Sequence, residues 1–360
     1  MSQRRLETPL TRGLGIAFPI MSAAMARVSQ APLVAAVSEA GGMGCLGGLS
    51  YMPDQLRHEI RTIRALTKAP FAVGLVIPEV LLAESAAPEW APVRELWDRL
   101  TMEQRTKLQG IEPLVTPGVV QQQVEVVLEE RPAAVCLTFN TPKDVVEGCH
   151  ERNMQVIALS GSVGRSVAAA KVGVDYVVAQ GAEGGGHTGY IGTLALVPAV
   201  VDAVDIPVIA AGGIVDGRGL AAALSLGAAG VWCGTRFIAS AEAFGHARYK
   251  QRVIEAAAKD TTLTKSYTGK NLRALRNEWT TAWEKRAYDI AGFPAQYAVA
   301  GEYVETGYQD GDVDHGMMPV GQGVGLVNDV RSAKEIVQDI AAEASATIER
   351  LSAMNASPAR

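Results

Sequence analysis

The sequence predicts an α/β protein built as a (β/α)8 TIM barrel, and three observations carry that prediction. Eight short apolar runs recur along the 360 residues, amphipathic segments separate them, and glycine clusters follow the sixth, seventh and eighth runs. Alternating strand-like and helix-like segments are the pattern of βα units on a parallel sheet, and eight units suggest closure into a barrel.

Taken in order, the strand candidates are IAFPIM (16–21), MGCLGG (43–48), PFAVGLV (70–76), AAVCLTF (133–139), QVIALS (155–160), DYVVAQ (175–180), IPVIAAG (206–212) and AGVWCG (229–234). Between them lie helix candidates such as APLVAAVSEA, DQLRHEIRTIRAL, VEVVLEE, VGRSVAAAKVG and GRGLAAALSLG, several closed by glycine, a common helix stop. Two stretches fall outside this rhythm. Residues 77–117, with Trp90 and Trp97, lengthen the third βα connection and are expected to cap the mouth. Residues 242–316 read as a mainly helical insertion after strand eight, through YKQRVIEAAAKD and LRNEWTTAWEKRAYDI. The periodic segment SAKEIVQDIAAEASATIERL (332–351) then returns as the closing helix. The predicted organisation is a barrel over 1–241 and 317–352 with a small second domain at 242–316.

Composition narrows the function. With 48% hydrophobic residues the chain can bury a sizeable core. Lys plus Arg number 33 against 38 Asp plus Glu, a formal charge of -5 without a basic block, so nucleic acid is not an expected partner. Cys45, Cys136, Cys149 and Cys233 are too far apart for a zinc knuckle or a CxxC pair and read as buried, reduced thiols of a cytoplasmic protein. No apolar run approaches the roughly 18 residues that span a bilayer. At the start, Glu7 and Arg12 interrupt what would be the apolar core of an export signal, so MSQRRLETPLTRGLGIAFPI reads as mature protein.

On a barrel, reactive groups sit on the loops after the strands. The loop after strand six is AQGAEGGGHTG (179–189), which surrounds His187 with glycine. An imidazole titrates near neutral pH, so His187 is the candidate general base. His58, His150 and His246 lie in charged helical surroundings and are expected to be solvated. In DGDVDHG, Asp310, Asp312 and Asp314 alternate as in a calcium loop, but the glycine and the bidentate glutamate of such a loop are missing; a polar turn is expected, and no metal site. Glycines also follow strand seven, in AAGGIVDGRG, and strand eight, in CGTRF. Loops seven and eight of such barrels often bind phosphate through backbone N–H groups, which makes Gly212, Gly213, Gly234 and Thr235 candidates to hold a phosphorylated cofactor.

The motifs AQGAEGGGHTG, PVIAAGGIVDGRG, LGAAGVWCGTRF and GQGVGL (321–326), with the opening PIMSAAMARVSQAPLVAAVSEAGGMGCLGG, resemble the nitronate monooxygenase family, formerly 2-nitropropane dioxygenases, over nearly the whole chain. The resemblance implies an FMN-dependent TIM barrel in which Ala23, Ala24 and Met25 line the flavin, and Gln180 and Gly185 contact its ring and ribityl chain. Gly213, Gly234 and Thr235 would then grip its phosphate, and Gly186 and Gly212 count as further cofactor-binding candidates. It places His187 over the flavin as the base toward a nitroalkane, and implies oxidation of alkyl nitronates by O2 to a carbonyl compound and nitrite. Relatives sharing the same glycines and histidine leave a second activity open, transfer of electrons from NAD(P)H through FMN to quinones or enoyl thioesters. A homodimer is one assembly open to the chain. FMN is expected over FAD, because no GxGxxG stands on a strand-turn-helix. The sequence departs from the family at Gly74, where PFAVGLV has glycine in place of the usual Asn. A flavin-free barrel acting through cysteine would need a thiol in the loop after strand six, and that loop has none. A non-catalytic barrel would not require His187 at the mouth.

Overall fold

The computed structural model describes residues 6–77, 117–293 and 295–355. Its strands are β1 (Ile20–Ser22), β2 (Cys45–Gly47), β3 (Ala72–Ile77), β4 (Ala134–Phe139), β5 (Gln155–Ser160), β6 (Tyr176–Gln180), a two-residue β7 (Gly186–His187), β8 (Val208–Ala211) and β9 (Gly230–Cys233). All but β7 form one parallel sheet in the order β1-β9-β8-β6-β5-β4-β3-β2. A parallel bridge between Met21 and Met43 joins its two ends, so the barrel closes. Six of the eight barrel strands fall within a run picked out in the sequence, and β1 and β3 overrun theirs by one residue, at Ser22 and Ile77.

Side chains alternate along a strand, so one set from each strand fills the barrel and the other meets the helices. The inner set includes Met21, Met43, Cys45, Cys136, Ile157, Tyr176, Val178, Ile209 and Trp232. Leu10 and Leu14 of the helix Pro9–Leu14 close the lower end against them. Outward residues such as Val73, Val135, Val177 and Val231 pack instead against the helical ring. That ring includes the helices Ala31–Glu39, Pro53–Leu66, Lys143–His150, Val163–Val172, Thr193–Val201 and Gly217–Ser225, and it is completed by Ala333–Asn355. The last two touch closely: a Cβ at Gly217 would lie 2.3 Å from the Ala344 nitrogen. Outside the ring, Glu130 receives Arg57, Arg61 and Arg64, at 3.3, 2.8 and 2.8 Å.

The insertion contains the helices Ala247–Glu255, Glu278–Glu284, Ala295–Ala300 and Tyr303–Gln309 and, unanticipated from sequence, a hairpin of β10 (Thr261–Thr264) and β11 (Leu272–Leu275). Neither TTLT nor LRAL carries a pattern long enough to mark a strand. They become one because β11 also pairs antiparallel with β7, placing Leu272 opposite His187 and Arg273 opposite Gly186. Stacking of Tyr267 on Trp279 at 5.8 Å, and of Trp279 near Tyr303 at 4.8 Å, packs the helices beside this hairpin. DGDVDHG forms a polar turn in which Asp312 Oδ1 accepts from the Asp314 and His315 N–H groups at 3.1 and 3.0 Å. Residues 78–116 of the connection expected to cap the mouth lie outside the described residues. All four cysteines are free and buried, and burial pushes the Cys136 and Cys233 thiols up to about 12. Among the described residues no helix is long and apolar enough to cross a membrane.

Candidate active site

The alternation that fills the barrel also builds the site, because the inner set runs off the upper ends of the strands. Two residues beyond Met21, Val178, Ile209 and Trp232 come Ala23, Gln180, Ala211 and Gly234, and all four line a cavity of about 830 Å³. Ala24, Met25, Gly185, Gly186, His187, Gly212, Gly213 and Thr235 line it too. Every candidate residue named from the sequence is thus gathered around one space at the C-terminal end of the barrel.

His187 lines this cavity half-buried, between barrel and insertion. Its Nε2 lies 2.9 Å from the buried Thr268 Oγ1, on the turn of the hairpin. Its ring stands 5.8 Å from that of Phe139, and the Lys270 ammonium sits over the Phe139 ring, 4.3 Å from its centre. Burial first, and the Lys270 charge second, push the imidazole down to about 4, so it is neutral at pH 7. Phe139 itself ends β4 with φ at 73°, a left-handed conformation that costs a bulky residue of order 1–3 kcal/mol. Such strain persists where the surroundings fix it, and here it sets the ring against His187 and Lys270.

The loops after β8 and β9 present backbone donors to the same cavity. The N–H groups of Gly213, Gly234 and Thr235 meet no acceptor among the described residues. Gly212 and Gly213 take φ of 102° and 70°, which turns this backbone over the cavity at little cost only for glycine. Thr235 Oγ1 accepts from the Gly321 N–H at 2.8 Å, tying GQGVGL to the loop after β9 and leaving the hydroxyl proton to be donated. Gln180 is also engaged, its Nε2 donating to the His187 carbonyl at 2.8 Å, so it braces the loop that carries the histidine.

The glycine run after β6 has a second task besides leaving the cavity open. A Cβ at Gly185 would fall 2.6 Å from the Val320 carbonyl carbon, at Gly181 2.4 Å from the Thr193 nitrogen, and at Gly189 2.7 Å from the Gly161 oxygen. These are backbone contacts, so the loop is glycine-rich partly because other chain segments press on it. Gly186 differs: a Cβ there would meet nothing within 4 Å, but φ is 72°.

The whole arrangement has known counterparts. The family model for nitronate monooxygenase matches residues 7–343. The chain belongs to the nitronate monooxygenase family. A protein of Staphylococcus saprophyticus described as a probable nitronate monooxygenase is 33% identical, over 96% of this chain and 100% of its own length. FabK from Thermotoga maritima superposes with a TM-score of 0.81 at 32% identity, covering 97% of this chain and 99% of its own. A nitroalkane oxidase from Streptomyces ansochromogenes gives 0.81 at 29%, covering 95% and 99%. Membership of the nitronate monooxygenase family, together with these enzyme neighbours, makes the chain an oxidoreductase on a TIM barrel.

The departure at position 74 has a local cause. A Cβ at Gly74 would lie 2.3 Å from the Ala24 Cβ, so in this nitronate monooxygenase family member Ala24 occupies the room an Asn side chain would begin in. Sequence reasoning missed Thr268, Lys270 and Phe139. The first two stand in SYTGKN, a stretch with no motif, and reach His187 only through the pairing of β11 with β7.

Proposed function

We propose that this chain is an FMN-dependent monooxygenase that oxidises alkyl nitronates, and nitroalkanes once deprotonated, with O2 to the carbonyl compound and nitrite. The observation that carries the reading is a neutral histidine, held by a hydroxyl, lining a cavity that also offers backbone donors without acceptors among the described residues.

The residues fit flavin mononucleotide. The Gly213, Gly234 and Thr235 N–H groups and the Thr235 hydroxyl suit a dianionic phosphate, since backbone amides can bind an anion without a side-chain cation. Ala23, Ala24 and Met25 leave a smooth apolar wall for a flat ring. When bound, FMN supplies the electron acceptor and the reaction with oxygen. His187 acts on the substrate: its free ring nitrogen takes the proton from the carbon bearing the nitro group, and the electron pair left behind moves into that group to give the nitronate. Lys270, close to the ring pair, provides positive potential for the anion. Apolar side chains such as Leu159, Ile238 and Met317 exclude water from the anion.

A base works best when its pKa lies near the working pH. At about 4, His187 is a weak acceptor toward a carbon acid, which favours the preformed nitronate as the better substrate. The purified protein is expected to be yellow and to release FMN by mass spectrometry. A colourless protein that cannot be reconstituted with FMN refutes the reading. On anaerobic mixing, bleaching of the flavin by a nitronate supports it. Bleaching by NADH with none by nitronate replaces it with the NAD(P)H-dependent reductase activity.

A further inference from the structure

The hydrogen bonds around His187 bear on which of its two nitrogens can act. Thr268 Oγ1 has one proton to give and two lone pairs to share. It stands 2.9 Å from His187 Nε2, accepts from the Lys270 N–H at 3.3 Å, and donates to the Lys270 carbonyl at 3.3 Å. If its proton went to Nε2, the Lys270 carbonyl would lose that donor, and the imidazole would carry its own proton on Nδ1. If Nε2–H donates to Oγ1, every group in the cluster is satisfied: the hydroxyl accepts twice and donates once. Buried polar groups are found paired because an unpaired one costs free energy, so the second arrangement is favoured. His187 Nδ1 then holds a lone pair, and it has no hydrogen-bond partner among the described residues.

From this accounting, and resting on the reading of His187 as the base, we infer that Thr268 is a positioning residue of the insertion: it holds His187 in the Nε2–H tautomer and so makes Nδ1 the nitrogen that meets the substrate proton. The same hydroxyl accepts from Nε2–H after proton uptake, so the ring does not rotate during the step.

The turn that carries Thr268 is fixed from several sides, as a positioning role requires. Gly269 has φ of 79° and donates to the Lys265 carbonyl at 2.8 Å. A Cβ on it would lie 2.4 Å from the Phe293 nitrogen, so the turn is pressed against 292–293. The buried Gln296 amide donates to the Ser266 carbonyl at 2.7 Å. On the other flank, the Thr188 N–H reaches the Asn271 carbonyl at 3.4 Å, continuing the β7–β11 pairing. A sequence remote from the barrel therefore sets the orientation of a ring on the barrel's sixth loop.

The test uses FMN-loaded protein with histidine labelled with 15N in the ring, whose two-bond proton–nitrogen correlations distinguish the tautomers at pH 7. His187→Asn identifies the signal. The expected result is Nε2–H in the wild type and in Thr268→Ser, with Thr268→Val shifting His187 toward Nδ1–H. Turnover of a neutral nitroalkane is expected to fall about tenfold in Thr268→Val, with KM little changed, and to be restored in Thr268→Ser. An Nδ1–H tautomer in the wild type, or an unchanged tautomer in Thr268→Val, overturns the inference. Should Thr268→Val not fold, the wild-type and Thr268→Ser spectra decide alone. A protein showing Nε2–H but oxidising neither a nitroalkane nor a nitronate refutes the monooxygenase reading and leaves the role of Thr268 standing.

Discussion

Replacing His187 by Asn separates proton removal from everything that follows it. Asparagine keeps a polar group facing Thr268 but cannot accept a proton near neutral pH. The proposed phosphate contacts lie in the loops after β8 and β9, so flavin content should not change. Loss of a general base costs about 10²- to 10⁴-fold. A ring held down at about 4 is a weak base, so the loss for a neutral nitroalkane should fall at the lower end, on the order of 10²-fold. The preformed nitronate has already lost its proton, and its turnover should change less than about fivefold, the residue of altered positioning. Nitrite release and oxygen uptake on both substrates, at matched flavin content, measure the contrast. The pH profile of the wild type checks the same point independently. A depressed imidazole remains neutral, and competent, down to its own folded pKa. At pH 5 roughly 90% of a base with pKa about 4 is neutral, against roughly 3% for an unperturbed imidazole. The acid limb for nitroalkane turnover should therefore lie near pH 4. Equal losses on both substrates, or an acid limb near 6.5 in the wild type, would refute the assignment.

Other positions give expectations of different origin. Gly185→Ala drives a methyl into the Val320 and Gly321 backbone and should cost about 1–3 kcal/mol in a thermal melt, with flavin retention reduced. Gly186→Ala meets open space and pays only for its φ of 72°, about 1 kcal/mol, so a larger loss than in Gly185→Ala would contradict the packing described. Gly74→Asn should lower stability by about 1–3 kcal/mol, and adding Ala24→Gly should recover part of it; strictly additive losses in the double variant would show that the two side chains do not compete. Glu130 is buried, which by itself would raise its pKa, but its arginines outweigh burial and hold the carboxyl below its ordinary value. Glu130→Gln should therefore cost about 2 kcal/mol at pH 7, and the gap to wild type should close as pH falls through the folded carboxyl pKa, because a depressed carboxylate contributes only while ionised. Denaturant titrations at pH 7 and pH 3 test the sign.

What could be read from the sequence follows from how far each signal reaches along the chain. The barrel was legible because every βα unit repeats the same local pattern, and the inward face of a strand continues directly into its loop. Ala23 and Gln180, expected at the cavity from the family resemblance, and Gly234, expected from the glycines after strand eight, each sit two residues beyond an inward side chain. Thr268 and Lys270 could not be placed, since they depend on β11 pairing with a two-residue strand inside a glycine-rich loop, a contact across some eighty residues with no periodicity on either side. The glycines show a related limit. From sequence, a triple glycine beside a histidine suggests only that something approaches the backbone. In the fold the approach to Gly185 comes from the segment 320–321, and Thr235 on the proposed phosphate loop holds that same segment through Gly321. One short piece, GQGVGL, thus presses the histidine loop and the loop after β9 into fixed positions about the cavity. Gly321 is needed because the histidine loop arrives as backbone, and a side chain at Gly321 would lie 2.6 Å from the Glu183 carbonyl oxygen. The proposed base and the proposed phosphate loop therefore share one neighbouring segment, and the insertion holds that segment in turn, since the Tyr249 hydroxyl donates to the Pro319 carbonyl at 3.0 Å.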